Sequence, residues 1–356
     1  MIPKSNGCVG ELLIPPGATL KETLETINMT QASFAVRTGL SEQYISKIVN
    51  GEAPITHDTA IKFETVLSIP ASFWLNFEAI YREKKSRLEY EKRLEKEAEK
   101  VNATLYNKMS SLGWVKPARD LREKAKNLLS FLGFSSFDQI EEGLSTCYRV
   151  SGKKTADPIA LASMLRKAEL EAEAIETKPY SETKLKKVLP QIRNMTNQEP
   201  ENFIDEIIEL CRECGVALVF LPHLPKTFMH GATRWINSKK VIVVVTLRLK
   251  TIDQFWFSLF HEFKHVLSHK IKYTFISTGS NSQEEKEADI FATNYLIPID
   301  EYRVFCSRHN FSFSSIHQFA CSINIEPTIV IGRLQHDNYV SYNSVLNKRK
   351  LKYDWN

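Results

Sequence analysis

At 356 residues the chain has room for two or three domains, and 43% hydrophobic with 25% charged residues is the balance of an ordinary soluble globular protein. No apolar run is long enough to span a bilayer, and the N-terminus MIPKSNGCVGELLIPPGATL lacks the basic-then-apolar order of a secretory leader, so membrane and secreted classes are set aside. A net charge of +5 permits nucleic-acid binding without arguing for it, and six scattered cysteines point to free thiols in a reducing cytoplasm.

Residues 1–16 read as an extended arm ending in Pro15 and Pro16. Thr19 is placed to cap a helix over TLKETLETINM, with Glu22 completing a capping box. Thr30 caps TQASFAVRTG, Gly39 and Leu40 make a tight turn, and Ser41 caps SEQYISKIVNGE, which Gly51 closes. A fourth helix, THDTAIKFETVLSI, ends before Pro70, and Pro70 starts PASFWLNFEAIYRE. Two short helices joined by a glycine turn form the helix-turn-helix pattern. Ala35 allows close helix contact, Gly39 supplies a positive φ, and Ile45 and Ile48 give the second helix its buried face. Its outward residues, Ser41, Glu42, Gln43 and Tyr44 with Ser46 and Lys47 one turn on, are types that reach bases and phosphates. Gln31 can donate to a phosphate at the start of the first helix. The pieces LKETLE, MTQASFAVRTGLSEQYISKIVNGEAPIT, DTAIKFE and IPASFWLNFEAIY resemble the XRE-type helix-turn-helix domain of HigA antitoxins. That resemblance implies a homodimer on a palindromic operator.

From Tyr81 to about Val101 the run YREKKSRLEYEKRLEKEAEKV alternates acidic and basic residues at helical spacing and reads as a solvated helical connector. Residues 104–214 read as mostly helical, with breaks at Pro117, Gly133, Pro158, Pro179 and Pro200, and show no catalytic constellation. Within them ALASMLRKAELEA resembles a segment found between the two modules of HigA–peptidase fusions. Cys211 and Cys214 lie on FIDEIIELCRECG, a helix ending at Gly215, and read as a buried structural thiol pair. VALVFLPHL, GATRWI and KKVIVVVTL read as three strands of a small sheet, the last two joined at Asn237, Ser238 and Lys239. Further on, EEKEADIFATNYLIP is a helix stopped by Pro298, YRVFCSRH and SSIHQFACSI are two more, and EPTIVIGRLQHDNYVSYNSV is a helix passing into a strand pair.

Between the sheet and those last helices lies FWFSLFHEFKHVLSH, which carries H-E-x-x-H. Residues four apart share a helix face, so His261 and His265 can hold one metal ion, while the neighbouring Glu262 carboxylate can take a proton from water there. Phe255, Trp256, Phe257, Leu259 and Phe260 would bury the helix. A catalytic zinc site of this kind needs a third protein ligand. Glu285, with Asp289 one turn later, has suitable spacing: Glu285 to bind metal, Asp289 to accept the free ring N–H of a histidine. Glu284 and Glu287 are substitutes, each turned a quarter-turn or more away. For the developing oxyanion the candidates are His230, His269, Tyr273, Tyr295 and Arg333.

GATRWINSKKVIVVV, DQFWFSLFHEFKHVLSH, EEKEADIFATNYLIP and PTIVIGRLQ resemble the ImmA/IrrE family of zinc metallo-endopeptidases. The resemblance implies Zn(2+) on His261, His265 and Glu285, with Glu262 as the base; Lys264 stands where the family usually carries glycine. The expected fold is α+β and mostly helical. It divides into an all-α helix-turn-helix domain over 1–82, a helical connector over 83–204 and a zincin-like α+β domain with a small sheet over 205–356. The expected function is that of a DNA-binding repressor or antitoxin whose zinc-peptidase-like part hydrolyses a protein partner or senses a signal. Its partners would be operator DNA and a cognate toxin or protein substrate, with no membrane. One alternative keeps the peptidase fold only as a toxin-binding or ligand-sensing scaffold. Another is a peptidase whose N-terminal domain binds protein.

Overall fold

A computed structural model describes residues 13–151, 156–247, 251–268, 274–277 and 283–353. Among the described residues the chain is mostly helical, with one sheet, and it divides into two compact units, Met1–Glu99 and Lys100–Asn356.

The described residues of the first unit are all-α. It contains α1 (Pro16–Thr26), α2 (Gln31–Thr38), α3 (Glu42–Val49), α4 (His57–Leu67) and α5 (Ala71–Glu99). Thr30, Ser41 and Thr56 cap α2, α3 and α4 through their side-chain oxygens, as their sequence positions require. Thr19 does not cap α1. That helix begins three residues earlier at Pro16, where the missing N–H costs nothing and φ is already helical. Leu20, Leu24, Phe34, Ile45, Ile48, Phe63 and Trp74 form the core. Gly17 lets α1 press against the end of α3, since a Cβ there would run into the Ile48 carbonyl.

The charged run lies in α5, which is 29 residues long. It contains neither proline nor glycine, and pairs such as Arg82–Glu78 at 2.6 Å and Arg87–Glu83 at 2.7 Å support it turn by turn. The expected boundary at 82/83 therefore falls inside one helix, and the one at 204/205 falls inside another, α11 below.

The second unit opens with α6 (Ala103–Ser111), α7 (Leu121–Leu132), α8 (Ile140–Cys147), β1 (Tyr148–Ser151), α9 (Pro158–Ala174), α10 (Glu182–Asn194) and α11 (Pro200–Glu213). There follow β2 (Val216–Leu221), β3 (Gly231–Asn237), β4 (Lys240–Thr246), α12 (Ile252–Leu267), β5 (Thr274–Ser277), α13 (Gln283–Leu296), α14 (Ile299–Ser307), α15 (Phe313–Ser322) and α16 (Pro327–His336). The sheet has order β1-β5-β3-β4-β2, so two strands join the three expected from sequence. The β3–β4 hairpin is antiparallel and turns at Ser238 and Lys239; β2 lies parallel to β4, and β1 parallel to β5. Alternate residues of β4 serve two cores. Val241, Val243 and Val245 pack with α12, while Ile242 and Val244 are buried on the other face, which α9 covers.

Cys211 and Cys214 are free, buried thiols at the end of α11, and burial pushes both up from the ordinary thiol range. Beyond α16 there is no strand pair among the described residues. The chain turns at Asn338 (φ 62°), and Ser341 and Ser344 capture the backbone N–H groups of Asn343 and Leu346. A 3-10 helix over Val345–Arg349 and a single bridge, Thr251 to Lys352, complete it. No helix among the described residues is long and apolar enough to cross a membrane.

Candidate functional site

α12 is buried on almost every side because it covers β3 and β4 and also packs against α13 and α16. Phe255, Trp256, Leu259 and Phe260 are in the core as expected, and Phe257 is half-buried. The H-E-x-x-H residues are buried with them: His261, Glu262 and His265 are 4%, 0% and 2% exposed. Such groups persist in a core only when paired or bound to an ion. Their partner comes from α13, where Glu285 is 3% exposed.

The geometry fits one cation. His261 Nε2 and His265 Nε2 are 3.1 Å apart. The Glu285 carboxylate spans both, with Oε2 3.4 Å from His261 Nε2 and Oε1 3.2 Å from His265 Nε2. Bonds of about 2.0–2.1 Å to a tetrahedral ion set donor atoms roughly 3.3 Å apart, the spacing seen here. Two nitrogens and a carboxylate oxygen are also a donor set zinc accepts. Among the described residues this is the one such convergence, with all three ligand atoms within 4.8 Å of one another.

Asp289 reaches back from α13, its Oδ1 2.9 Å from His261 Nδ1. That contact makes Nδ1 the protonated nitrogen of neutral His261 and leaves Nε2 a lone pair facing the cluster. The electrostatics have one sense. Burial works against the His261 imidazolium, yet hydrogen bonds to Asp289 and Glu285 and the charge of Glu262 carry its pKa up to about 10. Burial works against the Glu285 carboxylate too, and the two imidazoles bring it down to about 2. The cluster is a place made for positive charge.

Glu262 does not join the three ligand atoms. Its Oε2 accepts a 2.7 Å hydrogen bond from Thr233 Oγ1 on β3, and its Oε1 side lies against Gly231. A Cβ on Gly231 would stand 2.5 Å from that oxygen. Gly231→Ala is therefore expected to lower stability by about 1–3 kcal/mol, read as a lower urea midpoint at unchanged slope. The roles of Thr233 and Gly231 were not anticipated from sequence; the glycine opening the strand GATRWI was the only signal.

A cavity of about 340 Å³ opens beside the cluster, lined at this end by His230, His261, Glu262, Glu285 and Asp289. Of the oxyanion candidates, His230 and Arg333 line it. Arg333 is held by Asp337 at 2.6 Å and lies over the Tyr302 ring. Tyr295 is elsewhere, stacked on Phe260 with ring centroids 5.1 Å apart. His269 and Tyr273 lie outside the described residues. Lys264 lines a separate surface depression between α12 and α13, away from the ligand atoms. Of the two substitutes for Glu285, Glu287 is exposed and Glu284 only half-buried, and neither joins the ligand group.

In the first unit α2 and α3 meet at Gly39, whose φ is 67°. Phe34, Ala35, Ile45 and Ile48 are buried between them and their neighbours. Glu42, Gln43 and Lys47 point outward, and Gln31 is half-buried at the start of α2. Ser41 is exposed, but its oxygen caps α3. Ser46 is half-buried. Tyr44 differs from expectation, because its hydroxyl donates to the Pro54 carbonyl at 3.1 Å.

Residues 20–74 match the family model HTH_3, Helix-turn-helix. Three solved structures are similar to the N-terminal part. An addiction module antidote protein of a HigA family from Coxiella burnetii is 30% identical over 24% of this chain and 92% of its own, with a TM-score of 0.22. An antidote protein of a plasmid maintenance system from Nostoc punctiforme is 31% identical over 22% and 91%, with a TM-score of 0.20. Antitoxin HigA from Pseudomonas aeruginosa, solved with its higBA promoter, is 25% identical over 25% and 96%, with a TM-score of 0.22. No curated protein matches the chain.

Proposed function

We propose, for a chain whose residues 20–74 match the helix-turn-helix family model, a DNA-binding regulator of the antitoxin or repressor kind joined to a zinc-dependent endopeptidase of ImmA/IrrE type. The observation that carries the second half is the convergence of His261, His265 and Glu285, with His261, Glu285 and Glu262 lining one cavity. The first half is supported by the family match, the 30% identity to an antidote protein, and the outward Glu42, Gln43 and Lys47 on α3.

Zinc on His261, His265 and Glu285 would supply Lewis acidity toward a peptide carbonyl and toward water. The chain's own groups do the rest. Asp289 fixes the His261 ring and its tautomer. Thr233 holds the Glu262 carboxylate in one orientation, from which it takes a proton from water and returns it to the leaving amine. The core around α12 buries His261, Glu262 and His265 and leaves the cavity as the approach to the ligand group. The protein acts in the cytoplasm, as a homodimer on operator DNA.

Two experiments test the two halves. Mass spectrometry of cells expressing the wild type or Glu262→Gln should show new protein termini only with the wild type; identical termini in both would remove the peptidase. Gel shifts with the gene's own upstream DNA should show salt-dependent binding. Lys47→Glu with Gln43→Ala should weaken that binding at least about tenfold at unchanged fold. Operator affinity equal to wild type would displace α3 as the reading helix.

A further inference from the structure

The cavity beside the ligand group runs along α12, where Asp253, Phe257 and His261 succeed one another every four residues and all line it. At about 1.5 Å per residue Asp253 stands about 12 Å along the helix from His261. Asp253 is buried, and its Oδ2 accepts from Lys350 Nζ at 2.5 Å. From α16, Gly332 and Arg333 line the same cavity. Gly332 lets that helix meet α12, since a Cβ there would run into the Asp253 carboxylate. Arg333 donates from Nε to Asp337 Oδ2 at 2.6 Å and lays its guanidinium over the Tyr302 ring. Two atoms of this end are left over. Among the described residues neither Asp253 Oδ1 nor Arg333 Nη1 has a hydrogen-bond partner, although both are buried. Native cores pair nearly all their buried polar atoms, so two left over on one cavity are open to a ligand.

We infer that this cavity selects a carboxamide side chain, glutamine by its reach, on the residue adjoining the scissile bond. The inference rests on the peptidase reading and names its substrate class. The walls do not sort side chains, because Phe257 and Leu296 stand among hydroxyls of Ser258 and Thr293. The far end does. Ionised Asp253 can only accept there, and Arg333 can only donate. A carboxamide answers both from neighbouring atoms, its NH₂ giving to Asp253 Oδ1 and its carbonyl taking from Arg333 Nη1. A carboxylate would suit Arg333 but stand against the like charge of Asp253. An ammonium would suit Asp253 but stand against Arg333 and Lys350. An aliphatic group would leave both atoms unpaired. Reach sets the length. An extended glutamine spans about 6 Å from its main-chain carbonyl carbon to its amide nitrogen, and about 3 Å at either end brings the total to about 12 Å. Asparagine is one carbon short.

The test uses the full chain loaded with zinc and four hydroxamates of matched length, titrated by calorimetry: 4-carbamoylbutanohydroxamate, 4-carboxybutanohydroxamate, 5-aminopentanohydroxamate and 5-methylhexanohydroxamate. The carbamoyl compound should bind about ten- to a hundredfold more tightly than each of the others. Asp253→Asn should reverse the choice. Lys350 can only donate, so the asparagine turns its oxygen to Lys350 and its NH₂ to the place of Oδ1. The far end then offers two donors, and the carboxy compound should bind most tightly. Arg333→Lys, which keeps a cation for Asp337 and removes Nη1, should bring the carbamoyl and methylhexano affinities within about threefold of each other. Zinc content and circular dichroism verify that each variant is loaded and folded. A carboxy, amino or methylhexano compound that binds the wild type as tightly as the carbamoyl compound overturns the inference. A carbamoyl preference untouched by both substitutions overturns it too. Protein that takes no zinc, or that binds none of the four when loaded, removes the metal reading itself, and the inference with it.

Discussion

Glu285→Ala is expected to strip the protein of zinc, so that elemental analysis after dialysis falls from about one ion per chain to near zero. Glu285 provides the one carboxylate among the three ligand groups and touches both imidazoles, at 3.2 and 3.4 Å. Without it, two histidines four residues apart on one helix remain, which is too few for a closed protein shell. Asp289→Ala should be milder, lowering zinc affinity by roughly 10- to 100-fold, because Asp289 touches His261 and not the ligand centre. The same site predicts a proton count. In the metal-free protein the His261 pKa is raised to about 10, so at neutral pH the ring holds a proton that an entering ion must expel. Zinc affinity should therefore fall as pH falls, by about tenfold per unit while His261 alone titrates. Calorimetry in buffers of different ionisation enthalpy counts the proton. Equal zinc in wild type and Glu285→Ala would remove the site.

Glu262→Gln should have the opposite pattern, with zinc retained and cleavage lost. A general base is worth about 10²- to 10⁴-fold, and glutamine matches the shape of glutamate without its basicity. The side chain is fully buried and braced by Thr233 and Gly231, so the replacement has one place to sit. Cleavage of the natural partner at the wild-type rate would show that another group takes the proton. Loss of zinc along with cleavage would show that Glu262 helps to build the ligand group.

What the sequence made legible was local. Thr30, Ser41 and Thr56 cap their helices because capping depends on residues three apart. His261 with His265, and Glu285 with Asp289, each show a four-residue helical spacing, and the structure brings the two pairs together. What stayed hidden depends on distant partners. Thr233 meets Glu262 across 29 residues, and nothing in GATRWI says that its threonine faces a carboxylate. β1 and β5 are four residues each, too short for alternation to show, and exist because β1 pairs with β5 and β5 with β3. Tyr44 carried the pattern of a base-contacting residue, but the carbonyl of Pro54, ten residues on, holds its hydroxyl. The Asp253–Lys350 ion pair joins residues 97 apart and leaves no periodic trace.

That ion pair also sets an order of events during synthesis. The first unit has its own core and ends at Glu99, so it can fold while most of the chain is still unmade. The cavity cannot. Until Lys350 emerges, Asp253 has no cation to meet it, and a buried carboxylate without a partner costs about 3–5 kcal/mol. Trp256 likewise waits for the Tyr353 hydroxyl, 2.8 Å away in the finished fold. On a ribosome the helix-turn-helix is complete long before the pocket, and a nascent or prematurely ended chain would carry the first without the second.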